Sequence, residues 1–220
     1  MLLSKILEEL LWGMGTSIEI FLLTLLFSIP LGLAVAAGRM SSFKPLQWFM
    51  KAYISIMRGT PLMLQLIVVF FGPYYIFGMT LSRDFRMIAV IIAFTINYAA
   101  YFAEIFRGGI ESIPNGQYEA AQVLGYNRLE TFFIIILPQV IKIVLPSITN
   151  EVITLVKDTS LSRIIALQEI IWAGQAFMKG SQGISGAIWP LFFTAVYYLI
   201  FNGIVSVLLG KLEEKLNYFR

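Results

Sequence analysis

Two apolar runs of this chain carry polar side chains at helical spacing. Asn97, Tyr101 and Glu104 stand at i, i+4 and i+7, and Ser147, Glu151, Thr154 and Asp158 at i, i+4, i+7 and i+11. At 3.6 residues per turn each set falls on one helix face. A charge deep in a membrane costs roughly 2.5–3.5 kcal/mol or more, so it faces a cavity or a partner. The two faces are therefore predicted to line a polar cavity, with Gln65 from a third apolar run as a further member. The chemistry open to this set is recognition of a small polar ligand that carries both charges. Glu151 or Asp158 can accept an ammonium or a cationic side chain. The amides of Asn97 and Gln65 can serve a carboxylate, as can backbone N–H groups near Thr159 and Ser160 if the chain unwinds there. Plainer uses stand beside these: Glu104 and Arg107 as a helix-end ion pair, Asp158 and Lys157 solvated at the external end, Asn97 as a structural bridge, Tyr98 and Tyr101 as core aromatics.

The composition narrows the function. Of 220 residues 58% are hydrophobic and 13% charged, about half the charged share of a soluble domain. The chain is read as an integral membrane protein of one domain, residues 1–220. It has no cysteine and no histidine. Disulfides, thiolate or histidine metal sites and Ser-His-Asp catalysis are excluded, and no metal site is predicted. No sequence of the form GxxxxGK[ST] is present, so the chain does not hydrolyse ATP. The net charge of +3 is spread between apolar runs, which points to membrane topology and not to nucleic acid.

Five spans are predicted, near 18–38, 58–78, 86–108, 130–157 and 186–211. The first resembles a cleavable signal at Ala34-Val35-Ala36, but Glu8, Glu9 and Glu19 outweigh Lys5 before it, so it is read as a retained span. Arg39, Lys44, Lys51, Arg58, Arg107, Arg128, Lys142, Lys211, Lys215 and Arg220 fall on one side. Lys5, Arg83, Arg86, Lys157, Arg163 and Lys179 fall on the other. The heavier basic side is assigned to the cytoplasm, which puts the C-terminus inside and the N-terminus outside. Ser41 to Met57 mixes Phe43, Trp48 and Phe49 with Lys44 and Lys51. It fits a short interfacial helix or the lower turns of span two.

Between spans three and four, the loop 114–130 reads as a short helix of its own. Pro114-Asn115-Gly116 ends the preceding helix, Gln117 to Leu124 are good helix formers, and Gly125 can close the turn in the left-handed region. Ala120 and Ala121 leave a flat surface for another protein, flanked by Tyr118 and Val123. Leu137-Pro138 would then mark the start of span four.

The order Glu119-Ala120-Ala121, Gly125, Phe132 and Leu137-Pro138 resembles the EAA loop of ABC importer permeases. Arg58-Gly59-Thr60-Pro61 with Leu62 and Gln65, Glu104-Ile105-Phe106-Arg107-Gly108-Gly109, and Lys157-Asp158-Thr159-Ser160-Leu161 resemble the polar amino acid uptake family, the histidine/glutamine/arginine type. The resemblance spans nearly the whole chain. It implies an all-α, type I importer-like fold of five transmembrane helices plus a cytoplasmic coupling helix, in a bacterial cell membrane. It implies a second permease protomer, identical or a related paralogue, two copies of an ABC ATPase subunit, and an extracellular solute-binding protein. ATP and magnesium would be held by that ATPase, with no cofactor in this chain. Tyr118, Glu119, Ala120, Ala121 and Gly125 would dock the ATPase. Arg58 would lie near the cytoplasmic end in a structural or gating role. Glu104, Glu151 and Asp158 outweigh Lys142 within the spans, so the expected cargo is a polar amino acid and, by charge, a cationic one. An ion-coupled secondary transporter is the alternative, but it often carries matched repeats, and none is visible.

Overall fold

A computed structural model describes residues 2–80, 82, 84–180 and 184–216, and the described residues contain helices and no strand. The order is α1 (Leu2–Arg39), α2 (Lys44–Gly59), α3 (Leu62–Phe77), α4 (Phe85–Glu111), α5 (Asn115–Val123), α6 (Arg128–Glu130), a π-helical segment (Thr131–Ile136), α7 (Leu137–Asp158), a 3₁₀ segment (Thr159–Ile165), α8 (Ile170–Gly180) and α9 (Ile184–Leu216). Four helical stretches are long and apolar enough to cross a membrane, or five if α2 and α3 form one bent span.

The centre of the bundle is α4. Ala89, Val90, Ala93, Phe94, Ala99, Ala100, Phe102 and Ala103 are all closed to solvent. In lipid, small side chains let helices approach closely. At Gly32 of α1 the approach is so close that a Cβ would lie 2.7 Å from Phe102 Cβ and 3.1 Å from the Ala99 carbonyl oxygen. Further along, Val35 and Ala36 of α1 meet Ala100 and Ala103. The two helices therefore run side by side in the same direction. From Arg86 to Arg107 α4 rises about 32 Å at 1.5 Å per residue, close to the ~30 Å hydrocarbon core.

The expected span 58–78 is not one helix. Thr60, which precedes Pro61, is extended at φ −122 and ψ 147, because the proline ring disfavours the helical conformation one residue earlier. The chain turns by 106° between α2 and α3. α2 is a separate helix. Its Ile54 is buried against α1 and α4, Tyr53 donates its hydroxyl hydrogen bond to the Ile96 carbonyl, and Trp48 and Phe49 stay exposed.

The span expected near 130–157 lies in a helical stretch that runs from Arg128 to Ile165, and only the expectation that Leu137-Pro138 would mark its start differs. Leu137-Pro138 does not begin it. Asn127 does, through a capping box in which its side chain accepts from the Glu130 N–H while Glu130 accepts from the Asn127 N–H. Pro138 follows the π-helical segment 131–136, whose wider turns accommodate a residue with no N–H to give. The helix α8 after the 3₁₀ segment was not anticipated. Short and amphipathic, it packs on α1 and α9.

Candidate functional site

A cavity of about 500 Å³ opens beside the α2–α3 break. Arg58 to Leu62 form one wall, Asn97, Tyr98 and Tyr101 of α4 a second, and Glu151, Thr154 and Asp158 of α7 a third. The two helical faces that the spacing marked thus meet across one space. Tyr98 lies about 18 Å along α4 from Arg86, so the cavity sits near the middle of that apolar helix. Asp158 is at this depth too. It accepts a hydrogen bond from the Tyr98 hydroxyl at 2.7 Å, and is not at the external end.

Arg58 also belongs to this wall, and is not confined to the cytoplasmic end. Its guanidinium lies 5.3 Å from the centre of the Tyr101 ring, a cation–π distance. Its nearest carboxylate is Glu104, at 4.0 Å. Glu104 is already engaged, because Arg107 grips it with two hydrogen bonds, Nε to Oε1 at 3.0 Å and Nη2 to Oε2 at 2.6 Å. Such a forked pair fixes both groups. Arg107 also reaches Glu111 at 2.5 Å. Glu104 does not line the cavity.

Gln65 and Asn97 are spent on the break itself. Gln65 Nε2 donates to the Met57 carbonyl at 2.9 Å, the Thr60 carbonyl at 3.1 Å and Thr60 Oγ1 at 2.8 Å. Asn97 Nδ2 donates to the same Met57 carbonyl at 3.1 Å and to Gln65 Oε1 at 3.0 Å. A helix that ends inside the membrane leaves carbonyls with no partner, and these amides satisfy them. Neither amide has a donor to spare for a ligand carboxylate. The backbone near Thr159 is also occupied. The chain tightens to 3₁₀ there in place of unwinding, and the Thr159 N–H bonds to the Leu155 carbonyl. Thr154 gives its hydroxyl proton to Asn150 of its own helix.

What stays available in the cavity is the Arg58 guanidinium and the carboxylates of Glu151 and Asp158. Glu151 makes no hydrogen bond or ion pair among the described residues. Two acids stand against one base. Sequence reasoning passed over Arg58 as a cavity residue. The signal was there in a basic residue next to Gly59-Thr60-Pro61, where a broken helix turns a side chain inward.

The loop 114–130 forms α5. Gly125 adopts φ +84, as its type allows, and the Tyr126 N–H closes onto the Ala121 carbonyl. Glu119, Ala120, Val123 and Leu124 are exposed, the last two strongly at 87% and 73%. Ala121 is buried and Tyr118 packs against Ile113, Ile136 and their neighbours. These two residues seat α5 on its own bundle, so the free face is the other one.

Residues 28–218 match the family model described as binding-protein-dependent transport system inner membrane component. The L-cystine transport system permease protein TcyB of Bacillus subtilis is 33% identical over 94% of this chain and 86% of its own length. The arginine transport system permease protein ArtQ of the same organism is 31% identical over 94% and 92%. A solved amino acid ABC transporter with histidines superposes with a TM-score of 0.87 at 29% identity, covering 97% of this chain and 96% of that one. The MetNI methionine ABC transporter shares the fold at a TM-score of 0.71 and 15% identity. The chain belongs to the inner membrane components of binding-protein-dependent transport systems, as a transmembrane permease subunit of the amino acid ABC transporters.

Proposed function

We propose that the chain forms the translocation pathway for a cationic amino acid, with the mid-membrane cavity as its transient binding site. The observation that carries this is the charge balance of the free groups. Arg58 faces a carboxylate, while Glu151 and Asp158 remain for two positive groups, the α-ammonium and a basic side chain. An amino acid with a net charge of +1 neutralises such a wall, and charge left uncompensated at this depth is costly. Tyr98 holds Asp158 in place and Tyr101 holds Arg58. A glutamate-like cargo would leave two carboxylates without a partner, its own side chain and one of Glu151 and Asp158.

In this account the exposed face of α5, with Glu119, Ala120, Val123 and Leu124, docks an ABC ATPase that supplies the energy. A second permease protomer, identical or a paralogue, and an extracellular binding protein complete the complex, and the pathway alternates between inward-open and outward-open states. The relatives named for arginine and L-cystine transport are in keeping with an amino acid cargo. The test is ATP hydrolysis by the reconstituted complex with its binding protein, each amino acid being added in turn. Stimulation by arginine, lysine or ornithine, and none by glutamate, is the expected result. Uptake driven by an ion gradient without ATP would instead favour a secondary transporter.

A further inference from the structure

A second cavity, of about 450 Å³, opens between the first turn of α4, the outward part of α1 and the chain entering α8. We infer that it holds the headgroup of a zwitterionic aminophospholipid, with the phosphate on Arg86 and the ammonium on Asp84. Trp12, Thr16, Gln168 and Trp172 complete the wall.

Depth is the first argument. Arg86 lies about 32 Å along α4 from Arg107, so it stands one hydrocarbon thickness away from the opposite interface, where phosphates lie. Tryptophans collect at that level because the ring is apolar and its N–H is polar, and two of them frame this cavity. Trp12 is 58% exposed, on the face of α1 that also exposes Leu22, Leu26 and Leu33. The spacing 12, 22, 26 and 33 keeps these side chains within about 80° of one another on the helix, so the cavity mouth continues into an apolar surface along which acyl chains can lie.

Charge is the second argument. Arg86 and Asp84 line the same space without forming an ion pair. Arg86 uses Nη1 on the Ala166 carbonyl at 3.2 Å, while its Nε is buried with no partner. The Arg86 guanidinium lines the cavity and makes no ion pair among the described residues, so its charge is open to a phosphate oxygen. Asp84 caps α4 without a side-chain hydrogen bond, and its carboxylate makes no ion pair among the described residues. An unpaired acid beside an unpaired base suits a ligand that itself carries both charges. A simple anion would meet Asp84 as a like charge.

Native mass spectrometry of the full chain, purified in mild detergent with its ATPase, tests this. The probes are phosphatidylethanolamine, phosphatidylcholine, phosphatidylglycerol and the water-soluble phosphoethanolamine. Wild type should retain one phosphatidylethanolamine per permease chain, in preference to the other two lipids, and phosphoethanolamine should not displace it. Asp84→Asn, which breaks no hydrogen bond, should lower that preference roughly tenfold, the scale of one lost charge-assisted contact. Arg86→Gln should lower retention of all three lipids, and Arg86→Lys should restore part of it. Equal retention by wild type, Asp84→Asn and Arg86→Gln overturns the assignment. So does displacement by phosphoethanolamine, which would mark a soluble ligand. Unchanged lipid retention, with loss of stimulation by the binding protein, would give the cavity to a protein partner and overturn it too. None of these outcomes depends on the cargo.

Discussion

Asn97 of α4 donates to Gln65 of α3 at 3.0 Å, and both amides hold the Met57 carbonyl at the end of α2. Three helices are thereby pinned at one buried point. That point fixes the next residue, Arg58, in the cavity wall.

Replacing Gln65 by Leu should therefore act on Arg58 from a distance. The Thr60 carbonyl would lose its donor and the Asn97 amide one acceptor, while Met57 keeps Asn97, at about 1–3 kcal/mol per buried group left unpaired. We expect a lower melting temperature and a maximal transport rate reduced more than the apparent affinity. Gln65→Glu, which keeps the shape and loses the donors, should behave like Leu. Behaviour like wild type would show that the clamp does not position Arg58.

Glu151→Gln should weaken binding of a basic amino acid by roughly tenfold to a hundredfold, the range of a lost charge-assisted hydrogen bond of ~1.5–3 kcal/mol. A neutral amino acid should lose less. Competition of radiolabelled arginine by citrulline, in the complex with wild-type and variant chains, measures the difference. An equal loss for both would remove Glu151 from side-chain recognition.

Gly125 at φ +84 is the turn that closes α5. A β-branched residue pays ~1–2 kcal/mol or more in that region, whereas Asn tolerates it. Gly125→Val should insert into the membrane normally but fail to stimulate the ATPase, and Gly125→Asn should retain most coupling. Normal coupling in the Val variant would separate this turn from docking.

Glu169 gives a pH dependence of stability. It is closed to solvent and accepts from the Ile171 and Trp172 N–H groups, both at 2.8 Å. Burial pushes its carboxyl up from 4.5 to about 7, against the pull of those two bonds and of Arg163. The folded state thus binds a proton more readily than the unfolded chain. The stabilisation is complete below about pH 4.5 and declines as pH rises, until it is gone above about 7. Its size is at most on the order of 3 kcal/mol. Melting temperatures from pH 5 to 8 should fall for wild type and stay flatter for Glu169→Gln. Parallel slopes would assign the pH dependence to other groups.

Much of this was legible in the sequence, for physical reasons. Apolar length marked the spans, and 3.6-residue spacing brought Asn97 and Tyr101 opposite Glu151, Thr154 and Asp158. Gly125 announced its own conformation. What sequence could not show was how hydrogen bonds are distributed. Gln65 and Asn97 are polar residues in a membrane and look like ligand groups, yet the break at Thr60-Pro61 creates carbonyls that claim them first. Arg58 lies beside Glu104 and Tyr101 toward the Arg107 end of α4, as expected of a residue near that end, but the 106° turn at Thr60-Pro61 also makes it part of the cavity wall, which a continuous span 58–78 did not suggest. Ala121 and Ala120 are adjacent and alike, and only packing decides that the first is buried and the second free.

The most direct test is ATP-driven uptake by proteoliposomes holding wild-type or Arg58→Gln chains with the ATPase and binding protein. Labelled arginine, glutamine and glutamate would be offered separately. The account predicts arginine uptake by wild type, little glutamate uptake, and loss of arginine uptake when Arg58 no longer holds the carboxylate. Glutamate uptake exceeding arginine uptake, or full arginine uptake by the Arg58 variant, would contradict it.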